Sequence, residues 1–172
     1  MIRSATIAIV IAAIGVAATA RAELNVPIAA RVLPFLLPPP TGQVVAAIIV
    51  APDRPASLAE AAAIERSIGN GMPVGGAVIR TKRVPVTALA DLHGMRFAFV
   101  TAGLRSEHDA ISAAATREGV VTITSDRTCV QTGRCVVAVE SAPRVQITVN
   151  RAAARAVKAR FGSAFLMLVK EI

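Results

Sequence analysis

The chain has 172 residues and a formal net charge of +8, and 54% of its residues are hydrophobic although only 3% are aromatic. This length is enough for one domain with a sizeable core. The chain has no Trp or Tyr and only five Phe, so it offers few rings on which bases could stack, and we expect no nucleic-acid partner. The positive charge is spread along the chain and indicates solubility and a mild attraction to anionic partners.

Residues 1–22 have the layout of a cleaved secretory signal peptide. A basic start at Arg3 precedes an uncharged apolar run over residues 5–18, and Ala20 and Ala22 place small side chains where signal peptidase reads the chain. A membrane anchor is the alternative, but the uncharged run is short for a span of about 20 residues. We therefore expect cleavage after Ala22 and export of the mature chain.

The mature chain is predicted to begin with a short helix or an extended arm over residues 23–42, which ends in a stiff proline-rich turn. Residues 44–50 form a continuous apolar run, which is typical of a strand covered on both faces. Ser57 and Glu60 match a capping box, which predicts that the first long helix begins at Ser57. Gly69 is expected to end this helix.

The middle of the chain alternates between strand-like and helix-like segments. Ser106 is predicted to cap a helix that ends at Gly119, and Glu107 and Asp109 place acidic groups in its first turn, as the helix dipole prefers. The predicted order is strand, short helix, strand, helix and strand over residues 76–83, 87–92, 95–101, 106–119 and 120–124. This alternation predicts an α/β fold with a mainly parallel sheet and helices on both faces.

Two further strands are predicted over residues 135–139 and 144–150. Val145, Ile147 and Val149 alternate with polar residues and are expected to form one buried face. We expect the two strands to form an antiparallel C-terminal hairpin at the edge of the parallel sheet.

The end of the chain is predicted to be helical. Asn150 is expected to cap a helical region over residues 151–170, with a break near Gly162. Residues 43–172 are therefore expected to fold as a single α/β domain.

Cys129 and Cys135 are the two cysteines of the chain, and the short loop between them contains Gly133, which can adopt a positive φ and let the loop fold back. In an exported protein this spacing favours a disulfide, worth about 2–2.5 kcal/mol on the chain-entropy model. Two free thiols or half of a metal site are the alternatives. A metal site would need more ligands than His93 and His108 can supply.

The sequence contains no recognisable motif for acyl transfer, phosphate binding or zinc hydrolysis. His93 precedes a glycine at a predicted helix end, where we expect it to meet solvent. His108 lies in the first turn of a predicted helix and is expected to be a surface residue. No nucleophile–base pair is visible, so we expect a protein that is not an enzyme and binds no metal or other cofactor.

One group of polar residues is a candidate binding cleft. Ligands of parallel sheets collect beyond the carboxyl ends of the strands. Arg54, Arg105 and Arg127, together with Ser125 and Asp126, follow three predicted strands and could hold a carboxylate, a phosphate or an acidic side chain of a partner. Three solvated loops are the alternative interpretation.

Four features of the C-terminal part of the chain occur in sequence. A strand ends in Ser125-Asp126, Gly133 precedes a hydrophobic strand with Glu140, and an alternating strand runs into Asn150 and an Ala-rich helix. A final hydrophobic segment has Ser163 near its start. In these features the chain resembles the YfiR-like family of small periplasmic proteins.

The resemblance implies a periplasmic, non-enzymatic regulator that binds the periplasmic domain of an inner-membrane sensor or diguanylate cyclase and thereby sets cyclic-di-GMP output. It also implies that a disulfide stabilises the fold and links it to redox conditions. The opening helix of the family is rich in aromatic residues, whereas Phe35 is the one aromatic residue here. The alternative function is binding of a small anion or another small molecule in the periplasm. The chain could also form a homodimer.

Overall fold

The computed structural model describes residues 24–141 and 143–172, so the predicted leader lies outside the described residues. These residues form one eight-stranded sheet with helices packed on it. The strands are β1 (Gly42–Val50), β2 (Met72–Val74), β3 (Ala77–Pro85), β4 (Phe97–Val100), β5 (Val121–Thr124), β6 (Val137–Glu140), β7 (Gln146–Val149) and β8 (Lys170–Glu171). The α-helices are α1 (Val26–Ala30), α2 (Pro55–Ile68), α3 (His108–Glu118), α4 (Arg127–Gln131), α5 (Arg151–Ala156) and α6 (Ser163–Leu166), and shorter 3-10 segments lie at Leu33–Phe35, Val86–Leu92 and Arg105–Glu107.

The strand order across the sheet is β2-β3-β1-β4-β5-β6-β7-β8. β3, β1, β4, β5 and β6 are parallel, whereas β2 pairs antiparallel with β3 and β7 pairs antiparallel with β6. The predicted parallel sheet and its C-terminal antiparallel hairpin are therefore confirmed. β8 adds a further strand beyond the hairpin, parallel to β7.

Helices cover both faces of the sheet. The chain passes from β1 to β3 in one lateral direction, and from β4 through β5 to β6 in the other. Since crossovers between parallel strands are right-handed, the two directions place α2 on one face and α3 and α4 on the opposite face. We call these the α2 face and the α3 face.

The core consists mainly of aliphatic side chains from the central strands. Residues 46–50 of β1 are buried, and the buried rings of Phe97 and Phe99 meet edge to face with centroids 5.5 Å apart. Leu24 and Leu33 belong to the same buried cluster, so the segment before β1 packs onto the sheet. Burying each large apolar side chain contributes about 1.5–3 kcal/mol.

The first long helix begins earlier than the capping box predicts. α2 starts at Pro55, whose ring presets the helical φ at the first position, and Arg54 is its N-cap residue. Ser57 therefore lies inside the first turn, where it is buried and does not cap the helix. The predicted capping role of Ser57 and Glu60 is wrong because the proline determines the start.

The predicted cap at Ser106 is also wrong. Residues Arg105–Glu107 form a 3-10 turn, and α3 begins after it at His108 without a side-chain cap. Ser106 instead contacts the guanidinium of Arg54, with 3.2 Å between its Oγ and Arg54 Nη2. Gly119 ends α3 in the left-handed conformation, with φ of 69°, as predicted.

The hairpin is buried differently from the prediction. Val145 is 54% exposed, whereas Thr148 and Asn150, which were expected on the solvent side, are buried. α4 packs against β6 and β7, and its Val130 carbonyl accepts a hydrogen bond from the buried Asn150 Nδ2 at 2.8 Å. The alternation of apolar and polar residues therefore does not separate buried from exposed positions in this strand.

The C-terminal segment is not one helical region. Asn150 caps α5 as predicted, because its Oδ1 accepts a hydrogen bond from Ala153 N at 2.9 Å. Lys158 adopts a φ of 57°, outside the helical range, and the chain turns there before forming α6 and then β8. Among the helices of the described residues, none is long and apolar enough to cross a membrane.

Candidate binding site at the carboxyl ends of the strands

The carboxyl ends of β1, β4 and β5 lie side by side, so the loops after them meet at one edge of the sheet. All five predicted site residues lie in these loops or at the first residues of the elements that follow: Arg54, Arg105, Ser125, Asp126 and Arg127. The structure therefore gathers them at one end of the domain. A ligand at this carboxyl-end site stays a prediction.

Arg54 is held by an internal partner. Its Nη1 lies 2.8 Å from Glu107 Oε2 and its Nη2 lies 2.6 Å from Oε1, and it also donates to the Gly103 carbonyl. The hydrogen bond to Arg54 is the largest cause that lowers the pKa of Glu107, and the same bond raises the pKa of Arg54. Most of the charge that Arg54 could offer an anion is thus matched by Glu107.

Arg105 and Arg127 keep exposed guanidinium groups at the same end. Arg105 Nη2 lies 3.5 Å from Thr128 Oγ1 on α4, which places Arg105 beside the start of that helix. Arg127 Nη1 lies 3.9 Å from Glu140 Oε1, and the Arg127 side chain is 42% exposed. These two arginines are therefore less fully paired than Arg54, which lies 2.6 Å from Glu107.

Glu60 is the buried centre of the site, and sequence reasoning missed this role. Its carboxylate accepts hydrogen bonds from the Leu24 N–H at 3.3 Å, from the Ala102 N–H and from Ser125 Oγ at 3.1 Å. The residue as a whole is only 7% exposed. One carboxylate therefore links the N-terminal segment, α2 and the loops after β4 and β5.

Ser57 and Thr101 form a second buried link between the same elements. Ser57 Oγ accepts from Ala51 N at 2.9 Å and lies 2.6 Å from Thr101 Oγ1. Thr101 donates its own proton to the Ile49 carbonyl at 2.8 Å, so the proton between the two hydroxyls comes from Ser57. Both hydroxyls therefore use their hydrogen bonds within the fold.

His108 is buried, which corrects its prediction as a surface residue. Only 6% of it is exposed, and its Nε2 lies 3.9 Å from Asp126 Oδ2. Burial is the largest cause that lowers its pKa, and the nearby Arg105 acts in the same direction. His93 is exposed as predicted and contacts Glu118.

Asp126 joins this group to α4. Its Oδ1 accepts from Thr128 N at 2.8 Å and caps the helix that leads to Cys129. Cys129 and Cys135 form the predicted disulfide, with Cα atoms 5.2 Å apart. Gly133 takes the expected positive φ of 73°, which lets the loop return to its starting point.

A different part of the surface is apolar. Phe35 stacks on the buried ring of Phe165 with ring centroids 4.8 Å apart, and Met167 and Leu168, two and three residues after Phe165, are 81% and 80% exposed. Beyond Phe35 lies a groove of about 530 Å³ between the N-terminal helical segment and β2, whose lining includes Pro34 and Met72. We call Phe35, Met167 and Leu168 the apolar surface; Phe165 itself is buried.

Five residues of the carboxyl-end site were not predicted as site residues: Ser57, Glu60, Thr101, Glu107 and His108. A pattern in the sequence of α2 could have identified Ser57 and Glu60 as site residues. Ser57 lies four positions before Ala61 and Glu60 lies four positions before Ile64, so both lie on the buried stripe of α2, where a polar residue needs a partner. Within the described residues, no group of three or more His, Cys, Asp or Glu side chains is placed to hold a metal ion.

The profile of the YfiR/HmsC-like family matches residues 42–170 of the chain. The match begins at the first residue of β1 and ends in β8, so it covers every strand of the sheet. A search of the curated proteins finds no significant match.

Two solved structures have a similar fold. A conserved domain protein from Vibrio cholerae superposes with a TM-score of 0.61 at 10% identity, over 85% of this chain and 58% of that chain. The ABC domain from Streptococcus pneumonia, solved in complex with L-Trp, superposes with a TM-score of 0.56 at 10% identity, over 83% of this chain and 58% of that chain. The chain thus spans 58% of the length of each neighbour, and identities this low indicate the fold alone.

Proposed function

The chain belongs to the YfiR/HmsC-like family, and we propose that it binds the periplasmic domain of an inner-membrane signalling protein, a diguanylate cyclase, and thereby changes cyclic-di-GMP output. The family implies a periplasmic regulator of cyclic-di-GMP signalling, with a regulatory rather than a catalytic role. Binding, not turnover, is therefore the activity that this domain is proposed to perform.

The observation that carries the proposal is the apolar surface. Met167 and Leu168 are neighbours in the chain, and each is about four-fifths exposed. Exposed large apolar residues that lie together mark interaction sites. The stacked rings of Phe35 and Phe165 give this surface a rigid base. Since the family regulates membrane-bound signalling, we assign this surface to the partner's periplasmic domain.

The polar groups of the carboxyl-end site support a scaffold rather than a reaction centre. Ser57 is hydrogen-bonded to the backbone and to Thr101, and Arg54 is paired with Glu107. These groups are saturated by contacts within the fold, and a nucleophile would need a free base beside it.

Binding of a small anion is the second candidate function. Arg105 and Arg127 retain exposed charge at the end of the sheet where ligands of parallel α/β folds collect. The ABC domain with the similar fold is described in complex with L-Trp. A thermal shift with small carboxylates or phosphate that is lost in Arg105→Ala and Arg127→Ala would favour this candidate.

Photo-crosslinking in intact cells tests the first proposal. A photoreactive phenylalanine at position 167 should crosslink to the periplasmic domain of an inner-membrane signalling protein, identified by mass spectrometry. The same group at position 145 is the matched control, because Val145 is also an exposed apolar residue but lies in the hairpin. Equal crosslinking from both positions, or products without an inner-membrane protein, would contradict the proposal.

A further inference from the structure

We propose that the open outer edge of β3 is a second docking site, which takes an extended acidic segment of a partner protein as an added strand. β3 runs from Ala77 to Pro85, but β2 pairs only with residues 77–79. The remaining residues of β3 pair with β1 on one side and with no described strand on the other. This site does not involve the apolar surface and does not rest on the function proposed above.

The direction of the backbone groups identifies which residues are free to pair. The Gly76 carbonyl accepts from Gly42 N at 3.0 Å and so points toward β1. Because the backbone groups of successive strand residues point to alternate sides, Lys82 faces β1 and the N–H and C=O of Thr81 and Arg83 face outward. In the part of the chain that the structure describes, these four outward groups have no backbone partner.

The side chains of this edge are basic. Arg80 is exposed and forms no ion pair with any described residue. Lys82 lies 3.3 Å from Asp91, and Arg83 lies 2.6 Å from Glu65, but the side chains of both pairs are more than a third exposed. Such exposed pairs are weak, so a partner carboxylate can compete for these cations.

The basic side chains of this edge favour an acidic partner over a second copy of this chain. Two copies joined along this edge would place Arg80, Lys82 and Arg83 of one strand against the same residues of the other, and like charges opposite each other destabilise a strand pair. An added strand with Glu or Asp at alternate positions would instead pair with Arg80 and Lys82 on the α3 face. The backbone supplies affinity and the basic side chains supply selectivity, as in other cases of strand addition.

Amide hydrogen exchange followed by NMR tests this edge directly. The probe is an acetylated and amidated heptapeptide with alternating Val and Glu, and the control peptide has Lys in place of Glu. In the free protein the amides of Thr81 and Arg83 should exchange fast and those of Lys82 and Val84 slowly. The Glu peptide should slow exchange at Thr81 and Arg83 at least tenfold, and the Lys peptide should not.

Two protein variants separate charge from backbone pairing. Arg80→Glu should weaken binding of the Glu peptide at least tenfold, whereas Arg144→Glu, which changes the net charge equally in the exposed turn before β7, should leave binding unchanged. Three results would overturn the proposal: slow exchange of Thr81 and Arg83 in the free protein, equal binding of the two peptides, or no protection at millimolar Glu peptide.

Discussion

Arg54 and Glu107 join the loop after β1 to the turn before α3 through two hydrogen bonds between charged groups. Arg54 Nη1 lies 2.8 Å from Glu107 Oε2, and Arg54 Nη2 lies 2.6 Å from Oε1. The pair ties two loops of the carboxyl-end site together. The pair also leaves Arg54, one of the three arginines of the predicted anion site, bound to Glu107 rather than available to an anion.

Glu107→Gln should lower the melting temperature at pH 7 by about 2–4 °C, because Gln keeps the shape of the contact but loses its charge. Hydrogen bonding to Arg54 lowers the pKa of folded Glu107 from its ordinary value of 4.5. The stabilisation is therefore complete above pH 4.5 and is lost as the pH falls through the folded pKa. Circular dichroism melts of wild type and variant should converge at low pH, and a constant difference at all pH values would contradict the assignment.

Glu60→Ala should destabilise the protein by about 2–4 kcal/mol, measured by urea unfolding, because it leaves several buried donors without an acceptor. These donors include Leu24 N, Ala102 N and Ser125 Oγ. Glu65→Ala is the control on the same helix, since its partner Arg83 is exposed, and it should cost less than about 1 kcal/mol. Equal losses in the two variants would show that the buried carboxylate has no special role.

His108 should make the protein less stable in mild acid. Burial lowers the folded pKa of His108 below its ordinary value of 6.5, although Asp126 opposes this shift. The unfolded chain therefore binds a proton that the folded chain does not, so stability is full above pH 6.5 and falls as the pH drops below it. His108→Gln should reduce the fall in melting temperature between pH 7.5 and pH 5.5.

His93→Gln is the matched control for this pH dependence, since the side chain of His93 is 89% exposed. It should melt with the same pH dependence as the wild type. If the two histidine variants respond alike to pH, another group causes the acid sensitivity.

The disulfide should contribute about 2 kcal/mol to stability, since it closes a short loop. Reductant should therefore lower the melting temperature of the wild type by about 4–8 °C. The variant with Cys129→Ala and Cys135→Ala should melt at the lower temperature and should not respond to reductant. Alkylation of both thiols in the exported protein without reductant would show that the bond does not form in the cell.

The strands of the parallel sheet were predictable because their signal is local. Residues 44–50 and 120–124 are nearly continuous apolar or β-branched runs, and they correspond to β1 and β5. β2 and β8 have three and two residues, which is too short for a pattern to develop. β2 and β8 form because they pair with β3 and β7. The residues that specify this pairing lie outside β2 and β8, so the local sequence does not predict them.

The candidate site was predictable only in outline. The arginines follow strands, so their common edge could be inferred from the sheet. The role of Glu60 depends on donors 36 and 65 residues away, Leu24 and Ser125, and no local pattern specifies such contacts. The burial of His108 likewise depends on elements that are distant in sequence.

The concentration of cyclic-di-GMP in cells tests the central claim most directly. In a strain that lacks this protein, re-expression of the wild type or of Val145→Lys should restore the original concentration of cyclic-di-GMP. The variant with Met167→Lys and Leu168→Lys should be exported and folded, as judged by its melting temperature, but should leave the concentration as it is in the strain without the protein. Full restoration by this double variant, or no change in cyclic-di-GMP when the protein is removed, would contradict the account.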